Sequence, residues 1–263
     1  MSRRVITLTT DFGLGSPYVA EMKGVILSIC PEIVIVDISH QVAPQEVRQA
    51  ALILDQTAWR FPDGTIHVCV VDPGVGTDRR IVFVQLGMQC FIAPDNGVLS
   101  RLMGRGELRR ALVLTQRDLW RHPVSNTFHG RDIMAPVAAQ VATGQPLARL
   151  GPAIDRLVTL DWPEPELRGG EIHGQVLTVD SFGNVITNIS HQLVDRLGSS
   201  ATMCVRCAGH TIRGLVRTYG HRDPGTLVAL VGSSGLLELA VVQGQAAQRL
   251  RVKAGAAVTV SCV

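Results

Sequence analysis

The N-terminal half of the chain alternates apolar runs of strand length with segments of helical periodicity, and this alternation constrains the fold more than any other feature. Ser16 followed by Pro17 is a typical helix start, and apolar residues then recur at helical spacing until Pro31. Further helices are predicted over 45–60, 98–103 and 133–143. The strand-like runs are "VITLTT" (5–10), "IVIVDI" (33–38), "TIHVCVVD" (65–72), 80–86 and 90–93. Such alternation predicts an α/β fold with a central, mostly parallel sheet.

The predicted secondary structure changes after a linker-like segment. Residues 161–170, "DWPEPELRGG", combine two prolines, three acidic residues and two glycines, a composition typical of a connection between domains. Residues 171–263 then show short β-like runs and few helical stretches. We therefore expect an N-terminal α/β domain at 1–160, a linker at 161–170 and a smaller, β-barrel-like C-terminal domain at 171–263.

Composition argues against several classes of protein. With 46% hydrophobic and 18% charged residues, the chain is expected to be globular rather than disordered. A net charge of +3, 4% aromatic residues and the lack of basic runs interleaved with aromatics disfavour a nucleic-acid partner. The first apolar run is too short for a signal peptide, and no apolar stretch reaches membrane-spanning length. We expect a cytoplasmic protein with no membrane partner.

The six cysteines allow two interpretations. Scattered through a large chain, they are typical of reduced, buried thiols. Cys204 and Cys207, with His210 nearby, have the spacing of half a zinc site, but no second pair of ligands follows in the remaining sequence. Buried thiols are the favoured interpretation, and no metal site is predicted.

The stretch "VDPGVGTDRR" (71–80) raises the question of a phosphate-binding loop. A P-loop requires a lysine followed by serine or threonine after its last glycine, and a dinucleotide fingerprint requires a third glycine. Neither pattern is present after Gly76. An aspartate at the start of the loop, Asp72, would also repel phosphate. The phosphate interpretation is therefore weak.

Polar residues follow the predicted strands at several points. In open α/β sheets, ligands bind beyond the carboxyl ends of the strands, and Asp11 and Asp72 occupy such positions, whereas His129 directly precedes a predicted helix. One aspartate after a strand is usually a turn or cap residue, but three polar residues at one edge favour a site. Asp72, Arg79 and His129 are residue types that can orient a water molecule. Arg80 is expected to be a surface charge.

Several longer motifs together make the chain resemble the S-adenosyl-L-methionine (SAM) hydroxide adenosyltransferases, or SAM hydrolases, which are relatives of the SAM-dependent fluorinase and chlorinase. The resemblance runs nearly end to end. The motifs are "TTDFG" (9–13), "KGVILSICP" (23–31), "VDPGVGT.RR" (71–80), "APDNGVL" (93–99), "TFHGRDI.APVAA" (127–139), "VDSFGNVITNI" (179–189) and "SSGLLELAV" (233–241).

The resemblance implies a fold, an assembly and a set of site residues. It implies an N-terminal α/β domain, a C-terminal β-rich domain and a homotrimer that holds SAM between domains of neighbouring subunits. It implies that SAM is the substrate and that no cofactor is used. The implied catalytic residues are Asp72, Arg79 and His129, and the implied substrate contacts are Asp11 (ribose hydroxyls), Phe128 and Phe182 (adenine), Asn184, Tyr219, Ser233 and Glu238.

Two positions depart from the family pattern. Gly232 stands where many relatives have asparagine, and Val242 stands where a common relative motif has asparagine. Both belong to the C-terminal pocket, so they bear on the transfer of Tyr219, Ser233 and Glu238.

The function implied by the resemblance is hydrolysis of SAM to adenosine and L-methionine, with water attacking the ribose 5′ carbon. A halogenase is the enzymatic alternative. Against it, His129 and Asp72 stand where the resemblance would have the fluorinase carry tyrosine, the fluorinase insertion near 86–90 is absent, and an acidic group would repel halide. A SAM or adenosine sensor without catalysis is the third interpretation, and the intact Asp72, Arg79 and His129 set argues against it.

Overall fold

A computed structural model of the chain describes residues 4–262. The chain divides into two compact units, and the division falls between Leu160 and Asp161. Each unit has its own sheet and its own hydrophobic core. Within residues 4–262, the helices are too short or too polar to cross a membrane.

The first unit is built on a six-stranded mixed sheet. Its strands are β1 (Val5–Thr10), β2 (Val34–Ser39), β3 (Ile66–Val70), β4 (Ile81–Leu86), β5 (Gln89–Pro94) and β6 (Leu108–Val113). Their spatial order is β2-β1-β3-β5-β4-β6. The pairs among β2, β1, β3 and β5 are parallel, whereas β4 is antiparallel to both of its neighbours, β5 and β6. The sheet is therefore parallel on one side and antiparallel on the other.

Three α-helices accompany this sheet: α1 (Tyr18–Ile29), α2 (Val47–Thr57) and α3 (Ala135–Thr143). α1 begins directly after Pro17, as proline's fixed φ favours. α3 ends at Gly144, whose φ of 99° is left-handed and therefore suits glycine. Short helical turns are Ala58–Arg60, Arg117–Leu119 and Leu147–Arg149, and a π-helical segment, Gly130–Met134, leads into α3.

The core of the first unit explains its strand pattern. All five residues of β3 are buried, as expected of a central strand with both faces covered. Met22 and Ile26 of α1 pack in one cluster with Ile6 and Leu8 of β1. The burial of these strands along nearly their whole length is thus a consequence of their central position in the sheet.

The second unit is an antiparallel, nearly closed barrel. Its strands are β7 (Glu166–Arg168), β8 (Glu171–Val179), β9 (Val185–Ser190), β10 (Met203–Cys207), β11 (His210–Arg213), β12 (Leu227–Val231), β13 (Leu236–Val241) and β14 (Ala257–Cys262). The order is β11-β10-β14-β8-β9-β13-β12, with β7 on β8. The backbone N–H of Val216, just after β11, donates to Ala229 of β12 at 2.9 Å, which brings the two ends of the sheet together. Helices α4 (His191–Asp195) and α5 (Ala246–Leu250) and the turns Ser200–Thr202 and Tyr219–His221 complete the unit.

The predicted fold class is confirmed, and three local details differ. β6 was not predicted. The segment predicted as a helix over 98–103 is a series of turns with bonds such as Leu102 N–H to the Leu99 carbonyl, because the glycines on either side leave too little chain to nucleate a helix. Part of the predicted linker, Glu166–Arg168, is strand β7 and pairs with β8.

Candidate active site

The loop between β3 and β4, residues 71–80, begins and ends at the same edge of the sheet. β3 is parallel to β5 and β4 is antiparallel to β5, so the end of β3 and the start of β4 lie at one edge. Asp72 is near the start of the loop and Arg79 near its end. Gly76 has a φ of 81°, and a Cβ there would lie 2.6 Å from the Asn126 carbonyl oxygen. Glycine therefore allows the loop to pack closely against the chain at Asn126.

Asp72, Arg79 and His129 form one continuous hydrogen-bonded chain. Nε of Arg79 donates to the two carboxylate oxygens of Asp72 at 2.9 and 2.8 Å, and Nη2 donates to Oδ2 at 2.5 Å. The same Nη2 lies 2.7 Å from Nδ1 of His129. The side chains of Asp72 and Arg79 are 5% and 11% exposed. The structure thus joins two loops whose proximity the spacing of the residues does not reveal.

The contact with Arg79 fixes the tautomer of His129. A guanidinium group only donates hydrogen bonds, so Nδ1 must be the acceptor and the ring proton must lie on Nε2. Burial lowers the pKa of His129, and the charge of Arg79 lowers it further, against an opposing effect of Asp72. Both effects favour the neutral ring that this contact requires. Among residues 4–262, Nε2 has no protein partner, so this N–H is free for a ligand.

The position of His129 is set by the π-helical segment that follows it. π-helical turns are rare and often occur at functional sites. Asp132, which is fully buried, anchors this turn: it accepts from the Ser125 N–H at 2.8 Å and from Nε of Arg131 at 2.8 Å. A Cβ on Gly130 would lie 3.0 Å from a Val70 methyl group, so the turn also packs tightly against the end of β3.

Asp11 follows β1 as Asp72 follows β3, and both carboxylates line a cavity of 230 Å³ in the first unit. Oδ2 of Asp11 accepts a hydrogen bond from the backbone N–H of Gln45 at 2.8 Å. His129 and Phe128 also line the cavity. All five predicted site residues of the first unit thus lie together. The two acidic side chains give this wall a charge that suits a cationic ligand.

Phe128 belongs to an aromatic cluster beside the cavity. Its ring makes edge contacts with Phe12 and Tyr18 at centroid distances of 5.6 and 5.2 Å. The guanidinium of Arg131 lies over the Phe128 ring at 4.9 Å. Phe128 is 9% exposed, so little of its ring is left for a ligand. Phe12 lines the cavity as well; it lies in the motif "TTDFG" (9–13), but no role was predicted for it.

The predicted residues of the second unit line a separate cavity of 830 Å³. Phe182, at 76% exposed, is the most exposed aromatic ring of the set. The hydroxyl of Tyr219 donates to Oε1 of Glu238 at 2.6 Å. Burial and this bond raise the pKa of Tyr219 to about 12, and burial raises the pKa of Glu238. The cavity is lined by Asp180, Phe182, Asn184, Arg217, Thr218, Tyr219, Leu230, Val231, Gly232, Ser233, Glu238, Val241, Val242, Gln243 and Gly244.

Asp180 is a cavity residue that the sequence interpretation missed. Its Oδ1 accepts from the backbone N–H groups of Phe182 and Asn184 at 2.9 and 2.8 Å. Its Oδ2 accepts from Nδ2 of Asn184 at 3.1 Å. This arrangement fixes the amide orientation of Asn184 and leaves its Oδ1 as an acceptor. The position of Asp180 directly after β8 is the signal that would have identified it.

Both departures from the family pattern lie on this cavity. A Cβ on Gly232 would lie 2.6 Å from Oε2 of Glu238, so the carboxylate occupies the space that any side chain at 232 would need. Val242 is 7% exposed and lines the same cavity. The glycine and the position of Glu238 are therefore linked in this chain.

Two other expectations are resolved by the structure. Arg80 is exposed, as expected of a surface charge, and its guanidinium also pairs with Asp95, whose side chain is 3% exposed. Cys204 and Cys207 are both buried and lie three residues apart on β10. Their side chains therefore leave opposite faces of the strand, and the pair does not converge as metal ligands would.

Comparisons with known proteins agree over nearly the whole chain. Residues 6–151 match the model of the SAM hydroxide adenosyltransferase N-terminal domain, and residues 174–259 match that of the C-terminal domain. The (R)-S-adenosyl-L-methionine hydrolase of Salinispora arenicola is 41% identical over 95% of each chain. The Thermus thermophilus protein of the same name is 37% identical over 96% of this chain and 97% of its own.

A solved structure supports the same assignment. The crystal structure of an uncharacterised conserved protein from Thermotoga maritima superimposes with a TM-score of 0.92, at 37% identity, over 97% of this chain and 99% of its own. Fluorinases match at lower identity, 26 to 28%. With both family domains matched in order and close relatives aligned along nearly their full length, the chain belongs to the SAM hydroxide adenosyltransferase family.

Proposed function

We propose that this protein hydrolyses SAM to adenosine and L-methionine. The observation that carries the proposal is the hydrogen-bonded chain of Asp72, Arg79 and His129 on the wall of a cavity with two carboxylates. Membership of the family and relatives named SAM hydrolases support the same reaction.

The reaction is a displacement at carbon. The oxygen of water forms a bond to the ribose 5′ carbon while the bond from that carbon to the sulfonium sulfur breaks. The electron pair of the broken bond stays on sulfur as the neutral thioether of methionine, and the proton of the water passes to solvent. Because a neutral thioether leaves readily, the protein's main contribution is to orient and desolvate the nucleophile. This step calls for no metal or organic cofactor.

The geometry supports a different task for each of the three residues. The free Nε2–H of His129 donates to the water oxygen, and Asp72 accepts a hydrogen bond from the water. Arg79 holds both residues through Nε and Nη2. The lone pair of neutral His129 is engaged by Arg79, so His129 acts as a donor that orients the water and not as a general base.

The charge of the cavity favours SAM hydrolysis over halogenation. Asp11 and Asp72 both line it. Because Arg79 balances the charge of Asp72, these three groups leave one net negative charge, which attracts the positive sulfonium group and repels a halide ion. The backbone N–H of Gln45 occupies Oδ2 of Asp11, which leaves Oδ1 to accept a ribose hydroxyl. Asp11 is therefore proposed to bind the ribose.

The substrate is proposed to bridge two subunits of a homotrimer. A cavity of 230 Å³ is smaller than the range of roughly 300–1,000 Å³ typical of ligand sites, so the first unit alone does not enclose SAM. The second-unit cavity carries exposed apolar side chains, with Phe182 76% and Tyr219 41% exposed, which a bound adenine and a neighbouring subunit would cover. Asn184, Ser233 and Glu238 supply polar contacts there.

Labelled water tests the reaction. Incubated with SAM in ¹⁸O water, with and without added halide, the protein should release methionine and adenosine that carries the label in its 5′ hydroxyl. Halogenated adenosine would support the halogenase interpretation, and SAM binding without methionine release would support a sensor. Unlabelled adenosine would contradict attack by water at the 5′ carbon.

Light scattering tests the assembly. A homotrimer has three times the chain mass of 28.3 kDa, and a mass equal to one chain would contradict a site shared between subunits.

The cytoplasm is the proposed location. All six cysteines are free thiols in the described chain, which supports a reducing compartment.

A further inference from the structure

Gln45 differs from the other residues around the first-unit cavity in its backbone conformation. It is a non-glycine residue with a φ of 67°. Left-handed backbone is uncommon outside glycine, asparagine and aspartate, and it persists where the surrounding structure over-determines it. At the wall of a proposed active site, such strain suggests a positional role.

The left-handed backbone directs the N–H of Gln45 to Asp11. That N–H donates to Oδ2 of Asp11 at 2.8 Å. A second bond joins the same two loops, since the N–H of Gly13 donates to the carbonyl of His40 at 2.7 Å. The loop after β2 thus holds the loop after β1 by one backbone donor, the N–H of Gln45, and one backbone acceptor, the carbonyl of His40.

Hydrogen bonds at the start of α2 also fix the conformation of the loop after β2. The N–H of Ala43 donates to Oε1 of Gln49 at 2.7 Å. The N–H of Glu46 donates to the Ala43 carbonyl at 3.0 Å, and the N–H of Val47 donates to the Gln45 carbonyl at 3.0 Å. These three bonds flank Gln45 and determine where its N–H points.

We propose that Gln45 is a positioning residue: it orients the carboxylate of Asp11 that contacts the substrate. Its left-handed backbone holds Oδ2 of Asp11, so that Oδ1 faces the ribose hydroxyl. The acting group is the backbone N–H and not the side-chain amide. This inference rests on the proposed function, which gives Asp11 its ligand.

Three substitutions separate backbone from side chain. All three variants, Gln45→Gly, Gln45→Asn and Gln45→Val, retain the backbone N–H. Glycine and asparagine tolerate a positive φ, whereas β-branched valine does not. We expect the glycine and asparagine variants to keep the KM for SAM within about threefold. The valine variant should raise KM about tenfold with little change in kcat, because the ribose contact is present in substrate and transition state alike. An equal loss in all three variants would assign the effect to the side chain and overturn the proposal.

A double-mutant cycle tests the link to Asp11. In an Asp11→Ala background, Gln45→Val should raise KM no further, and additive penalties would contradict the link. Ala208→Val is the matched control. Ala208 has a φ of 48° in the turn between β10 and β11 and lines neither cavity, so this variant should lose stability with an unchanged KM.

Amide exchange by NMR tests the hydrogen bond without a variant at position 45. The amide proton of Gln45 should exchange slowly in the wild-type protein and quickly in Asp11→Ala. Rapid exchange in both would overturn the proposal. If the wild-type protein released no methionine from SAM, the proposed function would fall, and the exchange measurement would still decide whether Gln45 holds Asp11.

Discussion

Asp72→Asn replaces a carboxylate with an amide of the same shape. It tests the catalytic role proposed for the hydrogen-bonded residues Asp72, Arg79 and His129. In the wild-type protein, three contacts from Arg79 reach this carboxylate, and the two side chains are 5% and 11% exposed. Removing one charge of a buried pair costs about 3–5 kcal/mol, because the other charge is left uncompensated. Asparagine keeps one acceptor oxygen, and Arg79 keeps its contact with His129. We therefore expect the free energy of unfolding to fall by about 3 kcal/mol, the lower end of that range.

The effect on turnover should be much larger than the effect on binding. Asp72 is proposed to orient the attacking water, and misplacement of a reacting group by about 1 Å can lower the rate about 10²-fold. A group that acts mainly in the transition state leaves KM little changed. Methionine release at saturating SAM gives kcat, a substrate titration gives KM, and urea unfolding gives stability. A kcat within threefold of the wild-type value would refute the role assigned to Asp72.

Asp95→Asn is the matched control, because it disturbs a similar ion pair outside the cavity. Arg80, the residue after Arg79, pairs with Asp95, whose side chain is 3% exposed and also accepts from the Val158 N–H at 2.8 Å. Because the Arg80 side chain is 40% exposed and that of Arg79 is 11% exposed, we expect a smaller loss of stability, with kcat within threefold of wild type. An equal loss of turnover in both variants would mean that Asp72 acts through the loop's structure and not through its own carboxylate.

Three other predictions concern Asp11, His129 and the buried His67. Asp11→Ala should raise KM for SAM with kcat at saturation nearly unchanged, because its proposed ribose contact would exist in substrate and transition state alike; steady-state kinetics would contradict this if kcat alone fell. The lowered pKa of His129 keeps its ring neutral below the usual value near 6.5, so kcat should be level from pH 8 to about 6.5 and fall only at lower pH, where a protonated ring loses its bond from Arg79. Burial lowers the pKa of His67 to about 4, so its contribution to stability is complete above pH 6.5 and is lost as the pH falls towards 4. That loss is about 3 kcal/mol. It is measured by comparing how the free energy of unfolding changes between pH 6.5 and pH 4 in the wild-type protein and in His67→Gln.

The parts of the fold that fill the core were predictable, and those at its margin were not. The run "VITLTT" matches β1, Val5–Thr10, residue for residue, because five of its six residues are β-branched, which favours a strand, and five are buried in the sheet. β6 begins with three exposed residues, two of them arginine, and therefore carries neither an apolar run nor a regular alternation. Edge strands of this kind are defined by their neighbour, here β4, which the local sequence does not contain.

The same distinction applies to the site. Asp11, Asp72 and His129 were identifiable because their side chains are chemically distinctive and lie at ends of predicted elements. Gln45 was not, because its contribution to the cavity is a backbone N–H, and every residue except proline has one. Asp180 was identifiable in principle, since it follows β8 as Asp11 follows β1.

The proximity of Arg79 to Asp72 depends on the part of the sheet that departs from simple α/β alternation. In a parallel βαβ unit, the chain leaves the carboxyl edge of the sheet after one strand and enters the next strand from the opposite edge. A residue just before the next strand would then lie a full strand length from one just after the previous strand. β4 instead runs antiparallel to β5, so residues 71–80 stay at the carboxyl edge throughout. Arg79 therefore returns to Asp72 within one loop, and the mixed topology of the sheet is a condition for the hydrogen bonds that join Asp72, Arg79 and His129.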